Sequence, residues 1–306
     1  MLEKLLSFNA ARMVAPVFYS LLPMQALDQF FKAYGKLGQA EMPVKAWDWF
    51  IKALALAFLA YWMHLGQHLN DWLGSDGFHL MAPTNAVFAP LPPPWPLILW
   101  WMTFAGSLLM FFRQAIAVGC LLAGSGFFYA TMCDPASTGA LNMHFLFGFA
   151  VIFWSTGLRK AADIRMSAWP VNLVRLYLVV VYFGSGWRKV IYGNWLSDPN
   201  ALLHGITGFY TTNLTLLLYP VMPLLAWTLA QYAAVTFELG APLLLLYPPL
   251  RKWGVIYGCL LHIGIALLMK DLFYFSFQML TFYIPVLIPT YHLGAVSPKS
   301  GHQSGM

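Results

Sequence analysis

Charge is what this sequence has least of. Asp, Glu, Lys and Arg together make up 9% of its 306 residues, where a soluble domain carries about 25%. So few charges cannot cover a folded body of this size in water. There are three cysteines, Cys120, Cys133 and Cys259, with no paired spacing, which excludes a disulfide scaffold and a cysteine-based metal site. No Gly-rich phosphate loop, dinucleotide fingerprint or G-x-S-x-G elbow is present, which argues against soluble nucleotide or serine chemistry. A secretory leader, with its positive flank and small-residue cleavage site, is also missing from the reading.

What fills the chain is apolar. Hydrophobic residues are 60% and aromatics 17% of the sequence, and the apolar residues come in long runs of the kind that lipid accepts. The net charge of +6 does not point to nucleic acid, because the basic residues stand singly between the runs. The composition therefore predicts an all-α, polytopic bundle of transmembrane helices. About eight spans are expected, near 49–66, 95–112, 114–131, 144–158, 170–189, 224–248, 254–269 and 272–290. Residues 1–46 read as an amphipathic surface segment, 47–292 as the membrane domain, and 293–306 as a polar tail. With both termini in the cytoplasm, every Lys and Arg except Arg188, Lys189 and Lys270 falls on the inner side, as topology rules require. That arrangement implies a multi-pass protein of a cell membrane, the bacterial inner membrane by expectation. Residues 213–223 are expected to lie on the outer surface or dip into it, ahead of a single tilted helix.

Ionisable groups within such runs are costly and therefore informative. Arg188 and Lys189 stand at the outer end of the fifth span, in YFGSGWRKVIYGNW. They can simply snorkel to headgroups while Trp187, Tyr192 and Trp195 anchor the interface. Alternatively, Gly184, Ser185 and Gly186 let other helices come close. A lysine packed there, beside the fixed charge of Arg188, has reason to hold a neutral amine, which is a usable base or nucleophile. Arg188 would instead position an anion. Glu238 lies midway along the sixth span, as a structural hydrogen-bonding group, a proton relay or the partner of a base. His262 is mid-span in the seventh, and His144 opens the fourth next to Asn142; each can be a helix-to-helix hydrogen bond or a ligand contact. His64 and His68 share a helical face but lack further ligands at metal spacing, so no metal is expected.

The run NLVRLYLVVVYFGSGWRKVIYGNW resembles the helix of HTTM-family membrane proteins that carries a YF-x-x-G-x-K-K-x-x-x-x-x-W pattern. That group includes the membrane domain of vitamin K-dependent gamma-glutamyl carboxylase and a bacterial protein that matures a sporulation-delaying toxin. Further pieces follow in the same order: SDGFHLMAP, Asn142 with His144, Glu238, His262, and FSFQM from Phe275 to Met279. Together they cover roughly residues 48–290. The resemblance implies a membrane enzyme in which Lys189 is the catalytic base, with His144, His262 and Glu238 at catalytic positions. Asn142, His144, Arg188 and Trp195 would then contact a reduced quinone such as a vitamin K-like hydroquinone at the outer face. The carboxylase carries a large lumenal substrate domain that this sequence does not show. A partner protein is therefore expected to supply recognition of a peptide or protein substrate, and glutamate carboxylation is not expected of this chain alone. Two alternatives stand beside it: a non-catalytic membrane subunit that anchors or delivers substrate for a partner, and a DoxX-like quinone-redox subunit. Membrane lipid is a contact in all three, and nucleic acid in none.

Overall fold

The computed structural model describes residues 40–69, 73–75, 88–133, 135–158, 164–208, 210–270 and 272–292, with backbone alone for 135–142 and 292. Most of the expected amphipathic segment, the stretch SDGFHLMAP after Ser75 and the polar tail lie outside these residues, as does the side chain of Asn142.

Long apolar runs broken by Pro- and Gly-containing turns give a helical bundle. Its long helices are α1 (Val44–Gly66), α2 (Trp95–Phe111), α3 (Ile116–Cys133), α4 (Pro135–Thr156) and α5 (Trp169–Ile191). Two short helices follow, α6 (Ala201–Thr207) and α7 (Asn213–Leu218), then α8 (Leu224–Leu246), α9 (Pro248–Leu268) and α10 (Phe273–Leu287). Proline opens α2, α5 and α9 within the first turn, where its missing N–H costs nothing. Each of the eight expected spans falls on one of the long helices. Four of them, α1, α3, α8 and α9, are long and apolar enough to cross a membrane; α2, the Met143–Thr156 part of α4, and α10 are apolar but shorter. On α9, Trp253, Ile256, Leu260, Ile263 and Leu267 form an exposed apolar stripe at helical spacing, which lipid tolerates and water does not.

The chain is not purely α. Strands β1 (Ala40–Pro43), β2 (Arg165–Ser167) and β3 (Tyr291–His292) form a small antiparallel sheet in the order β2-β1-β3, with Glu41 opposite both Ser167 and Tyr291. It joins the start of α1, the connection from α4 to α5 and the chain after α10 at one end of the bundle. Arg165 ties it further, 3.8 Å from Glu41 and 5.3 Å from the centre of the Tyr291 ring.

A buried arginine and a half-buried one close helix ends at the same side. Arg175 on α5 donates to Asn172 Oδ1 and to the carbonyls of Val286 and Ile288. Arg251 on α9 donates to the carbonyls of Leu245 and Leu246. Both satisfy C-terminal carbonyls that a helix leaves without partners. The core is aromatic: the Phe58 ring packs against Trp62, Phe127, Phe145 and Phe149 at 4.9 to 5.7 Å between centres. At the opposite end, residues 213–223 form the six-residue α7 and a turn. α7 is held to the end of α9 by Thr215, whose hydroxyl donates to the Leu268 carbonyl.

Candidate functional site

The site starts from one glycine. Gly186 on α5 faces α8 so closely that a Cβ there would stand 2.9 Å from Glu238 Cβ and 3.1 Å from Leu239 N. Without a side chain at 186 the two helix backbones meet, and residues one turn further on can touch. Lys189 Nζ accordingly forms a short ion pair with Glu238 Oε1, and Ser185 donates its hydroxyl to the same oxygen at 3.3 Å. Gly184 plays no such part, since nothing lies within 4 Å of where its Cβ would be.

This changes the expectation for Lys189. It sits beside a carboxylate on another helix, not in a like-charged pocket with Arg188, whose side chain is exposed and off the cavity wall. The face of α5 decides it: residues 185, 186 and 189 look toward α8, and 188 is turned about a third of a helical turn away. After α5 the chain reverses at Gly193 and Asn194, the latter at φ 55, a left-handed conformation that Asn accepts more readily than most residues. The reversal brings Trp195 back over the lysine, with Nζ 4.7 Å from the centre of its ring.

Lys189, Glu238 and Trp195 line one cavity of about 460 Å³ enclosed by α5, α6, α8, α9 and α10. His262 lines it too, along with Tyr182 and Phe275. Most of the wall is aliphatic, and the polar atoms are few, as in sites that take an amphipathic small molecule. Leu260, on that wall, is also largely exposed on the outside of α9, so the cavity reaches the flank of the bundle.

His262 is buried within a cluster that sequence reading missed. Its Nε2 lies 2.7 Å from the Tyr182 hydroxyl, which lies 2.5 Å from the Tyr283 hydroxyl. Gly258 makes room for this, because a Cβ there would overlap Tyr283 Oη. If Tyr283 donates to Tyr182 and Tyr182 to His262 Nε2, both hydroxyl protons are used and the imidazole proton is left on Nδ1. Two buried polar atoms on this wall then lack a partner, His262 Nδ1 and Glu238 Oε2. Buried unpartnered groups are costly and uncommon.

His144 does not join them. It is buried 2.6 Å from the Tyr177 hydroxyl, and Phe275 packs on both histidine rings, at 5.7 Å from His144 and 5.5 Å from His262. Phe275 takes the wall position that the sequence suggested for His144. Among the described residues no group of three or more His, Cys, Asp or Glu could hold a metal ion.

Tyr182, Tyr283 and Gln231 carried signals too weak to stand out: hydroxyls among 15 tyrosines and one uncharged amide. The seven-residue spacing of Gln231 and Glu238, which puts both on one face of α8, was the readable hint. Comparison with protein-family models, curated proteins and solved structures finds no match.

Proposed function

We propose that this protein is a multi-pass membrane enzyme that binds a quinol-like lipid in the α5–α8–α9 cavity and uses Lys189 as a base to modify or mature a peptide or protein. In this reading all eight long helices cross the membrane, the sheet end faces the cytoplasm, and Lys189 works near the outer face of a bacterial cell membrane. The chain is then an HTTM-like protein, and a partner protein supplies recognition of the peptide.

One observation carries the proposal: a base, an acid and a histidine from three helices converge on a single, largely aliphatic cavity. The residues suit the lipid. Aliphatic walls take a ring and chain, while Lys189, Glu238 and His262 supply the few polar groups of the wall that would orient a head group. A bound quinol supplies an oxidisable ring whose reaction with oxygen can yield a base strong enough for a weakly acidic C–H. The Lys189 ammonium first passes a proton to the adjoining Glu238 Oε1, and the neutral amine so formed then accepts a proton from a hydroxyl, with the resulting ammonium balancing the new oxyanion. Trp195 limits water at the amine.

The test is oxygen uptake by the purified protein in nanodiscs with reduced menadione as the probe. The wild type is expected to exceed autoxidation, and Lys189→Ala and Lys189→Arg to lose about 10²-fold or more of the excess. Full rates in both variants, with unchanged folding, would remove the catalytic role. A non-catalytic anchoring subunit remains the second reading, favoured by the completeness of the Lys189–Glu238 pair, which a purely structural clamp between α5 and α8 would equally use. It expects a co-purifying partner whose activity ignores Lys189→Ala.

A further inference from the structure

The stretch that follows α5 is mostly exposed, from Ile191 to Ser197 and again at Pro199, apart from half-buried Trp195. Local turn bonds shape it, among them Trp195 N to the Lys189 carbonyl and Asp198 N to the Asn194 carbonyl. One core side chain ties it to α8. Gln231, fully buried on α8 at 0% exposure, donates both protons of Nε2, to the carbonyls of Trp195 and Asp198, each at 2.7 Å. Its Oε1 accepts from Leu202 N at 2.8 Å.

Each contact lands where it matters. Trp195 is the residue whose ring covers the Lys189 ammonium. Asp198 stands at the turn into α6, and Leu202 N is one of the first-turn amides that α6 leaves without a partner. One turn earlier on α8, Thr228 donates its hydroxyl to the Pro199 carbonyl at 3.1 Å. The helix so pinned gives Ala201, Leu202, Gly205 and Ile206 to the cavity wall.

Gln231 itself is not on that wall. It lies seven residues before Glu238, on the same stripe of α8. A single helix face thus carries both the counter-charge of Lys189 and the anchor of the segment that covers it. Only a carboxamide suits the place: a carboxylate would face two carbonyl oxygens, and a leucine would leave two carbonyls and an amide unpaired.

We infer that Gln231 is the positioning residue of this site, clamping 195–202 so that Trp195 stays over Lys189 and α6 closes the cavity. The inference rests on reading the cavity as the reaction site, but the arrangement of Trp195 can be measured without turnover. The full chain is labelled with 5-fluorotryptophan in nanodiscs, and the Trp195 fluorine signal is assigned with Trp195→Phe. Lys189→Met gives the signal of an indole that has lost its cation.

Gln231→Leu is expected to move or broaden the Trp195 signal toward the Lys189→Met position, with the Trp62 signal in place. Gln231→Glu is expected to do the same. A lowered melting temperature with the Trp195 signal unmoved would mean ordinary core packing and would overturn the inference. Should those variants fail to fold, Gln231→Asn, whose amide falls one methylene short of the Trp195 and Asp198 carbonyls, is the milder cut, and an unmoved Trp195 signal there is equally contrary. In oxygen uptake with reduced menadione, Gln231→Leu is expected to raise KM several-fold with a smaller fall in kcat. If the wild type shows no uptake at all, the enzymatic reading fails while the fluorine result still decides the role of Gln231.

Discussion

Lys189 and Glu238 each make the other tolerable in an apolar bundle. A charge removed from water is costly unless it is paired and hydrogen-bonded, and breaking such a pair costs more than deleting it. Glu238 is 8% exposed and Lys189 24%, so residual solvent screens the pair from one side. Glu238→Gln is therefore expected to lower the unfolding free energy by about 2–3 kcal/mol, below the 3–5 typical of fully buried pairs. Lys189→Met combined with Glu238→Gln should recover most of that loss. Reversible unfolding in mild detergent measures both together with Lys189→Met alone, and single losses that simply add in the double variant would show that the pair is not coupled. These two residues were legible in the sequence because a charge inside an apolar run is costly, although snorkelling for Lys189 and a structural hydrogen bond for Glu238 stood beside the functional reading. Arg188 is exposed and off the cavity wall, as the snorkelling alternative allowed and a shared pocket did not; neighbours on a helix point about 100° apart. His144 makes a hydrogen bond to Tyr177 on another helix, the other alternative the sequence left open, and Phe275 lines the cavity in its stead; distance along a span shows nothing of such neighbours.

Between elements, the contact of α5 with α8 decides whether a site exists. Gly186→Val would push Glu238 and Leu239 away, and overpacking of this kind costs roughly 1–3 kcal/mol. It should also part Lys189 from Glu238 and so depress oxygen uptake. Gly184→Ala meets nothing within 4 Å and relieves a helix of glycine, so its expected effect is neutral to stabilising by up to about 1 kcal/mol. Thermal unfolding of the two variants side by side checks the contrast, and equal destabilisation would contradict it. Helix positions were readable from apolar runs alone. The sheet was not, because strands of four, three and two residues carry no period long enough to see, and they pair only once the helices bring them together. Gly258 is similar: its purpose shows only when Tyr283, on another helix, fills the space.

For the molecule as a whole, the helices alternate in direction, so the sheet and the Lys189 cavity lie toward opposite ends. Topology follows as an expectation. In sealed inside-out and right-side-out vesicles, a cysteine placed at Ser167 in β2 and one placed at Ser197 should react with an impermeant maleimide from opposite sides. The native cysteines are replaced by Ala for this, two of them being buried and Cys259 half-buried. Labelling of both from one side would refute the proposed arrangement. The candidate site was legible only as far as the polar exceptions reached, since a cavity is a property of five helices at once and no stretch of sequence displays it.

The most direct measurement is the lipid that leaves with the protein. The wild type and Ala234→Phe, a substitution that adds a ring to the cavity wall, are purified in mild detergent and their bound small molecules identified by mass spectrometry. An amphipathic, quinone-type lipid near one per chain in the wild type, strongly reduced in Ala234→Phe with folding preserved, is the expected result. Identical retained lipids in the two proteins, with no quinone in either, would contradict a ligand site built around Lys189, Glu238 and His262.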